Sequence, residues 1–274
     1  MTLISIVCGQ QALPNFYVLH HLTKRWEARG IVSTSGSVYD PGADACVLHV
    51  DKTRLNDADA PTPPAGQAVI NGAVRDISKS LYSTLRLSRD GDWDGPVIVK
   101  TDLNHFGLPE GLACLPPEHH MPSPRVMLTA RPWQLAGQLP DRHYPVVPSI
   151  RDVPGWVWRN PAYIVERFMP ERDGDLYCIR GWMFLGSFSY GWRLLGTDHM
   201  VKAGNLVRHE FIDDVPDGLI DLKQRAGFDF GKFDYVMHEG KPIVLDLNKT
   251  PAYAGDPDSP RLTHLSRGIE EFLP

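Results

Sequence analysis

The sequence has no excess of basic residues, no apolar run long enough to cross a bilayer, and no paired cysteine spacing. Its 28 Lys and Arg stand against 33 Asp and Glu, a formal net charge of -5 with no basic cluster. That excludes the electrostatic footprint of a nucleic-acid binder, so any anion held here is held locally. No stretch reaches the roughly 18 apolar residues of a membrane span. The four cysteines (Cys8, Cys46, Cys114, Cys178) show no CxxC spacing and no disulfide framework, which points to reduced thiols. The opening residues MTLISIVCGQ carry no basic leader. Together these absences give the expectation of a soluble, cytoplasmic protein. No internal repeat or low-complexity tract is present.

What remains is an ordinary globular composition, 42% hydrophobic and 22% charged over 274 residues, enough for a sizeable core in one or two domains. Leu3–Cys8, Ala45–Val50 and Gln67–Ile70 read as strands. Leu19, Leu22 and Trp26 share one face of a helix that ends at Gly30. The pattern predicts a small α/β unit. Asp76 offers an N-cap to a helix with Ile77, Leu81 and Leu85 on one face, and Lys79 lies off that face. Pro96–Lys100 is a buried strand ending on a lysine. Residues 111–160 are rich in Pro, Arg and His; a strand over Arg125–Thr129, a short helix at Trp133–Leu139 and otherwise irregular surface structure, a candidate lid, are expected there. Ala162–Phe168 is strand-like, PERDGD is a turn, and Leu176–Leu185 with Ser187–Leu194 forms a hairpin about Gly186. Leu219, Leu222 and Ala226 mark a helix, as do Leu262, Leu265 and Ile269.

The chemistry gathers near the C-terminus. Phe233–Met237 and Pro242–Leu247 are apolar strands joined by the hairpin signals of Glu239-Gly240. Asp246 and Asn248, two apart, point to one side of the second strand, and Asp234 pairs across from its end. Two carboxylates and an amide converging there suit a hard cation such as Mg²⁺ shared with phosphate oxygens. The plainer reading is a strand end whose Asp and Asn cap a turn. Lys79 and Lys100 have the alternative of solvated charges, and Arg180 that of an ion pair with Asp175 or Glu166. The pairs His20-His21 and His119-His120 read as surface residues, and Cys8 and Cys178 as core thiols.

A strand ending in Lys100, a loop with Gly107, a strand carrying Glu166, a strand carrying Arg180, and then Asp234, Asp246 and Asn248, in that order over residues 69–251, resemble the ATP-grasp family. The resemblance implies an α+β fold whose two lobes clasp ATP (residues 69–274), preceded by a short α/β unit (1–68). It gives Lys79 and Lys100 to the phosphates and the loop Thr101–Glu110, with Gly107, to covering them. The Arg167 carbonyl and Met169 amide would read the adenine edge beside Glu166. Asp175, or Glu171 in its place, would bind the ribose. Arg180, Lys202 and Asn205 would act at the γ-phosphate and on the reacting groups, with Arg193 a weaker addition. Asp234, Asp246 and Asn248 would hold Mg²⁺, with Asp246 standing where Glu is usual. The implied activity is ligation of a small carboxylate, an amino acid or peptide, to an amine through an acyl phosphate, with ATP and Mg²⁺ as cofactors. Partners are small molecules rather than nucleic acid or membrane, and a homodimer is a family habit. The alternatives are a kinase acting on an alcohol, or a nucleotide-binding scaffold without turnover.

Overall fold

The computed structural model describes residues 1–9, 12–110 and 132–274. Cys114, the His119-His120 pair and the strand expected over Arg125–Thr129 lie outside the described residues. The chain opens with β1 (Thr2–Val7), α1 (Val18–Glu27), β2 (Ile31–Gly36), β3 (Ala45–Leu48) and β4 (Ala68–Ile70). These strands form an all-parallel sheet in the order β2-β1-β3-β4. Such a sheet is covered on both faces: Ile4, Ile6 and Val47 meet α1 on one, and Val7, Cys46 and Leu48 pack with Tyr39 on the other. β2 was not legible in the sequence, because IVSTSG is an edge strand whose Ser and Thr side chains stay partly exposed. β4 spans the boundary drawn at 68/69, and its pairing places it in the first sheet.

The helix expected after Asp76 is corrected to a single turn, α2 (Lys79–Tyr82). Asp102 sets where the turn starts. Its carbonyl accepts the Lys79 N–H (3.1 Å) and its Oδ1 the Ser80 N–H (2.6 Å). Beyond Ser83 the chain runs extended beside β7, with Leu87 N–H donating to the Val165 carbonyl and Arg167 N–H to that of Leu85. Leu81 is consequently exposed. Next come β5 (Val97–Thr101), α3 (Trp133–Ala136), β6 (Val146–Val147), α4 (Gly155–Arg159) and β7 (Tyr163–Arg167), which build a small antiparallel sheet in the order β6-β5-β7. Trp133, Trp156 and Trp158 close over its Val97, Val99 and Val165, while residues 134–138 stay on the surface.

The third sheet contains β8 (Glu171–Asp173), β9 (Leu176–Leu185), β10 (Phe188–Gly196), β11 (Leu206–Ile212), β12 (Phe230–His238) and β13 (Lys241–Asn248), in the order β11-β10-β9-β12-β13 with β8 beside β9. Part of the expected PERDGD turn is therefore strand β8. The β12–β13 hairpin turns through Glu239 (φ 49) and Gly240 (φ 75), the paired left-handed conformation of a type I′ turn. Side-chain alternation and register divide the sheet. Lys232 and Asp234 of β12 share one face with Gly181 and Met183 of β9, whereas Phe233 and Tyr235 share the other with Trp182 and Arg180. α5 (Asp217–Arg225) covers the second face through Leu219, and α6 (Pro260–Ser266) packs under the first.

α6 and α1 join the first unit to the large sheet. Leu262, Leu265 and Ile269 meet Leu22 and Trp26 in a core that also takes in Met183, Leu185 and Phe230. The Trp26 Nε1–H donates to the Ser266 carbonyl (2.8 Å). Gly268 lies directly against the Leu185 carbonyl, where a Cβ would collide with backbone. Trp26→Ala should therefore cost about 3–5 kcal/mol of unfolding free energy by urea denaturation; a loss under about 1 kcal/mol would show that this seam does not carry the docking of the two parts.

Candidate functional site

The small sheet and the first face of the large sheet enclose a cleft of about 420 Å³. Its floor follows from strand alternation. Asp234 and Asp246 are direct cross-strand partners, as are Lys232 and Asn248, so all four share one face. The register then shifts, since Tyr235 pairs with Val244 and leaves Leu245 as a bulge that turns the strand end toward the cleft.

Three lysines face three carboxylates. Lys232 Nζ is 2.7 Å from Asp234 Oδ2, Lys79 Nζ is 3.1 Å from Asp246 Oδ1, and Lys100 Nζ is 2.6 Å from Glu166 Oε2. Lys79 and Lys100 are 3% and 6% exposed, so neither is a solvated surface charge. Lys79 also donates to Asn104 Oδ1 (2.8 Å), and Asn104 Nδ2 donates to the Leu247 carbonyl (2.6 Å), which fastens the loop after β5 to β13. Burial raises the pKa of Asp234, and Asp246 adds to the effect while Lys232 opposes it. Burial alone would lower the pKa of Lys232, but Asp234 and then Asp246 outweigh it and the net direction is up. Two carboxylates held this close favour a cation between them. Asp246 Oδ1 and Glu166 Oε2 are buried and, despite their short distances to lysine, accept no hydrogen bond of good geometry.

The remaining walls are less polar. His105 (φ 47) and Phe106 (φ 59) are consecutive left-handed residues, a strained turn before Gly107 (φ 76). The turn lays Phe106 on Tyr144, centroids 4.4 Å apart. Tyr144 is anchored by its hydroxyl to Thr101 Oγ1 (2.9 Å), and burial raises its pKa so that it stays protonated. Arg167, Phe168 and Met169 line the cleft from the end of β7, and His199, Met200 and Lys202 from the β10–β11 connection.

Of the residues expected from sequence, Lys79, Lys100, Glu166, Arg167, Met169, Lys202, Asp234 and Asp246 line this one cleft. The others are placed elsewhere. Arg180 lies on the opposite face of the sheet, register partner of Tyr235, and its guanidinium grips both oxygens of Glu171 (2.6–3.0 Å). Its partner is thus neither Asp175 nor Glu166, and Glu171 is taken up by it and by the Met237 N–H (2.7 Å). Arg193 pairs across from Arg180 and is held by Glu210 and Asp173. Asp175 is exposed, and its carbonyl accepts from Arg172. Asn205 braces its own turn, accepting the Lys202 N–H (3.0 Å) and donating to the Met200 carbonyl (2.9 Å). Gly107 is buried within the strained turn. Asn248, beside Asp246, uses its Oδ1 to cap the Thr250 N–H (2.9 Å).

Sequence reading missed Lys232, although its position two before Asp234 on one strand was the signal. It also missed Lys249, which joins the strand-end residues His49 and Asp51 in a second buried cluster next to Asn248. His49, at the carboxyl end of β3, is fully enclosed with neither ring nitrogen hydrogen-bonded, and burial with Lys249 nearby pushes its pKa down to about 3. Lys249 is 1% exposed and its Nζ has no hydrogen-bond partner. Asp51, whose oxygens accept from Tyr17 and Thr250 (2.8 Å each), is the foremost of the carboxylates opposing the burial that lowers its pKa to about 8.

No protein-family model matches the sequence, and no curated protein matches it. Solved structures do match. The ATP-grasp ligase PsnB, complexed with a minimal precursor, is 12% identical with a TM-score of 0.52, covering 98% of this chain and 99% of that one. The macrocyclase MdnC, bound with precursor peptide MdnA from Microcystis aeruginosa MRC, is 9% identical with a TM-score of 0.51, covering 99% and 100%. The expected fold is the observed one: this chain has the ATP-grasp fold. Among the described residues, no helix is long and apolar enough to cross a membrane.

Lys249 yields a pH-dependent prediction. Its pKa is about 8 when folded against 10.5 as the free side chain. Between those values the unfolded chain holds the proton and the folded chain does not, so this group makes stability rise with pH across that window, and its cost is borne in full below pH 8. Lys249→Met should therefore raise stability at pH 7 by up to about 3 kcal/mol, with the gain shrinking toward pH 10. Chemical denaturation at pH 7 and pH 10 measures it, and a variant less stable at pH 7 would contradict the assignment.

Proposed function

We propose that the protein is a cytoplasmic, ATP- and Mg²⁺-dependent ligase that activates a carboxylate as an acyl phosphate for attack by an amine. The observation that carries the reading is the charge array in the cleft of an ATP-grasp fold: Lys79, Lys100 and Lys232 beside the paired carboxylates Asp234 and Asp246. A free carboxylate is a poor electrophile because its leaving group would be oxide. Transfer of a phosphoryl group to it creates a good leaving group, and the amine then displaces phosphate.

Each part of the cleft has a task in this reading. The apolar wall of Phe168, Met169, Leu85 and Ile179 takes the base, against the strand end at Arg167. Lys79, Lys100 and Lys232 offset the charge of the triphosphate, and because they are already buried and oriented, little reorganisation is needed. Arg180 and Arg193 face away, so the transferring phosphoryl group falls to Lys79, Lys232 and Lys202. Phe106 and Tyr144 exclude water, which would hydrolyse an acyl phosphate.

The residues present fit Mg²⁺. Asp246 Oδ1 is a buried oxygen with no hydrogen-bond donor, and it lies across from Asp234 in a hard, all-oxygen donor set. Asp234 and Asp246 would hold the ion, with Asn248 adjacent. When bound, it would offset phosphate charge. Both structural neighbours carry a precursor or precursor peptide, which favours a peptide carboxylate over a free amino acid as the substrate.

Hydroxylamine trapping tests the reaction class. With ATP, Mg²⁺ and candidate peptides, an acyl phosphate gives a hydroxamate with release of ADP and phosphate; phosphate retained on an alcohol in the product would instead establish a kinase. Asp246→Asn should lower turnover at least about a hundredfold, roughly 2.7 kcal/mol in transition-state stabilisation, with the melting temperature preserved. Arg180→Met should do the reverse, keeping nucleotide affinity within about threefold while lowering thermal stability through the unpaired Glu171. Loss of nucleotide binding without loss of stability in that variant would return Arg180 to the cleft.

A further inference from the structure

Three side chains at one rim of the cleft have no part in the reading above. His143 lies in the segment leading to β6, and Asp198 and His199 lie in the connection from β10 to β11. One donor atom from each falls within 4.8 Å of the other two. The two imidazoles meet edge to face, centroids 5.1 Å apart. His199 fixes the chemistry of the group. Its Nε2 is 2.9 Å from the Tyr144 carbonyl, which only accepts, so that nitrogen carries the proton. In the neutral ring, Nδ1 then presents a lone pair 3.2 Å from Asp198 Oδ1. Two lone pairs at that distance repel unless a positive charge lies with them. Donation of the outer ring N–H to a backbone carbonyl is also how metal-bound histidines are oriented. Asp198 is itself held, its Oδ1 accepting the Met200 N–H (2.8 Å).

We propose that His143, Asp198 and His199 bind one divalent transition-metal ion of the zinc type through two imidazole nitrogens and a carboxylate oxygen, with water in the remaining position. Imidazole with one carboxylate and no thiolate is a zinc-compatible donor set, and one that Mg²⁺ does not favour. Metal–ligand bonds of about 2.0–2.2 Å place tetrahedral donors roughly 3.3 Å apart. Small side-chain rotations therefore bring the three donors onto one ion. The site is distinct from Asp234 and Asp246, and its existence does not depend on the reaction proposed above.

The two segments it would join are already in contact. Tyr144 N–H points to Met200 Sδ (3.0 Å), and Lys202 Nζ donates to the Arg142 carbonyl (2.7 Å). One segment continues into β6 of the small sheet and the other belongs to the large sheet. A bound ion would pin the two sheets together across the rim of the cleft that His199 and Met200 line.

Calorimetric titration of chelator-treated full-length protein with Zn²⁺ tests this, with Co²⁺ absorbance as a second probe of ligand geometry. The expected result is one saturable equivalent and a melting temperature that rises with Zn²⁺. His143→Ala and Asp198→Asn should each weaken binding at least about tenfold. His21→Ala, in the separate His20-His21 pair, should leave it unchanged. Metal-free melts establish that each variant folds, and if His143→Ala does not, the near-isosteric Asp198→Asn carries the test. No saturable binding by the wild type, or binding unaltered in Asp198→Asn, would overturn the site.

Discussion

Lys79 with Asp246, Lys232 with Asp234, and Lys100 with Glu166 bring six formal charges into a cleft mostly shielded from water. Desolvating ions costs several kcal/mol each, and exchanging buried ion pairs for packed apolar residues is often neutral or stabilising by about 1–4 kcal/mol. Stability therefore does not account for this array. The proposed nucleotide with its divalent cation would, since the polyanion could take over the lysines as partners while the cation took over the aspartates. The lysines are held in place by the carboxylates, and the like charge of two neighbouring aspartates is tolerated because the lysines offset it.

The rest of the fold serves to aim these groups. The β12–β13 register sets Asp234 opposite Asp246, and the bulge at Leu245 directs that end of the hairpin into the cleft. Asp102 caps the start of α2 and so fixes the position of Lys79, while Asn104 ties the same loop to the Leu247 carbonyl. Through the seam of α1 with α6, the first unit is fixed against the large sheet. Its buried His49 then stands with Lys249 immediately beyond Asn248. An ammonium that burial moves down to about 8 is expensive to keep, and such groups gather where charge is used.

The strands were legible where one face is buried. Two apolar runs about the Glu239-Gly240 turn signal located the hairpin carrying Asp234 and Asp246, and the apolar run before Lys100 located β5. Period two also implied Lys232, once Asp234 was taken to face the cleft. Two kinds of feature were not legible. The α2 helix looked long because Ile77, Leu81 and Leu85 keep helical spacing, but Asp102 takes its first N–H groups and β7 draws the following chain into an extended path. Arg180 looked like a cleft residue because it sits on the right strand. Its face depends on the β9–β12 register, which puts Gly181, not Arg180, opposite Asp234. Both are tertiary decisions, made by residues far away in sequence. The His143, Asp198 and His199 group belongs to the same class, since its members come together only when two loops from different sheets meet.

We propose the lysine–aspartate array as a magnesium-dependent nucleotide site. Calorimetric titration with a non-hydrolysable ATP analogue, with and without Mg²⁺, on the wild type and on Lys232→Met tests it most directly. The account predicts micromolar or tighter binding that requires Mg²⁺ and weakens at least about tenfold, 1.4 kcal/mol, in the variant. Binding indifferent to both Mg²⁺ and Lys232, or no binding by the wild type, would contradict it.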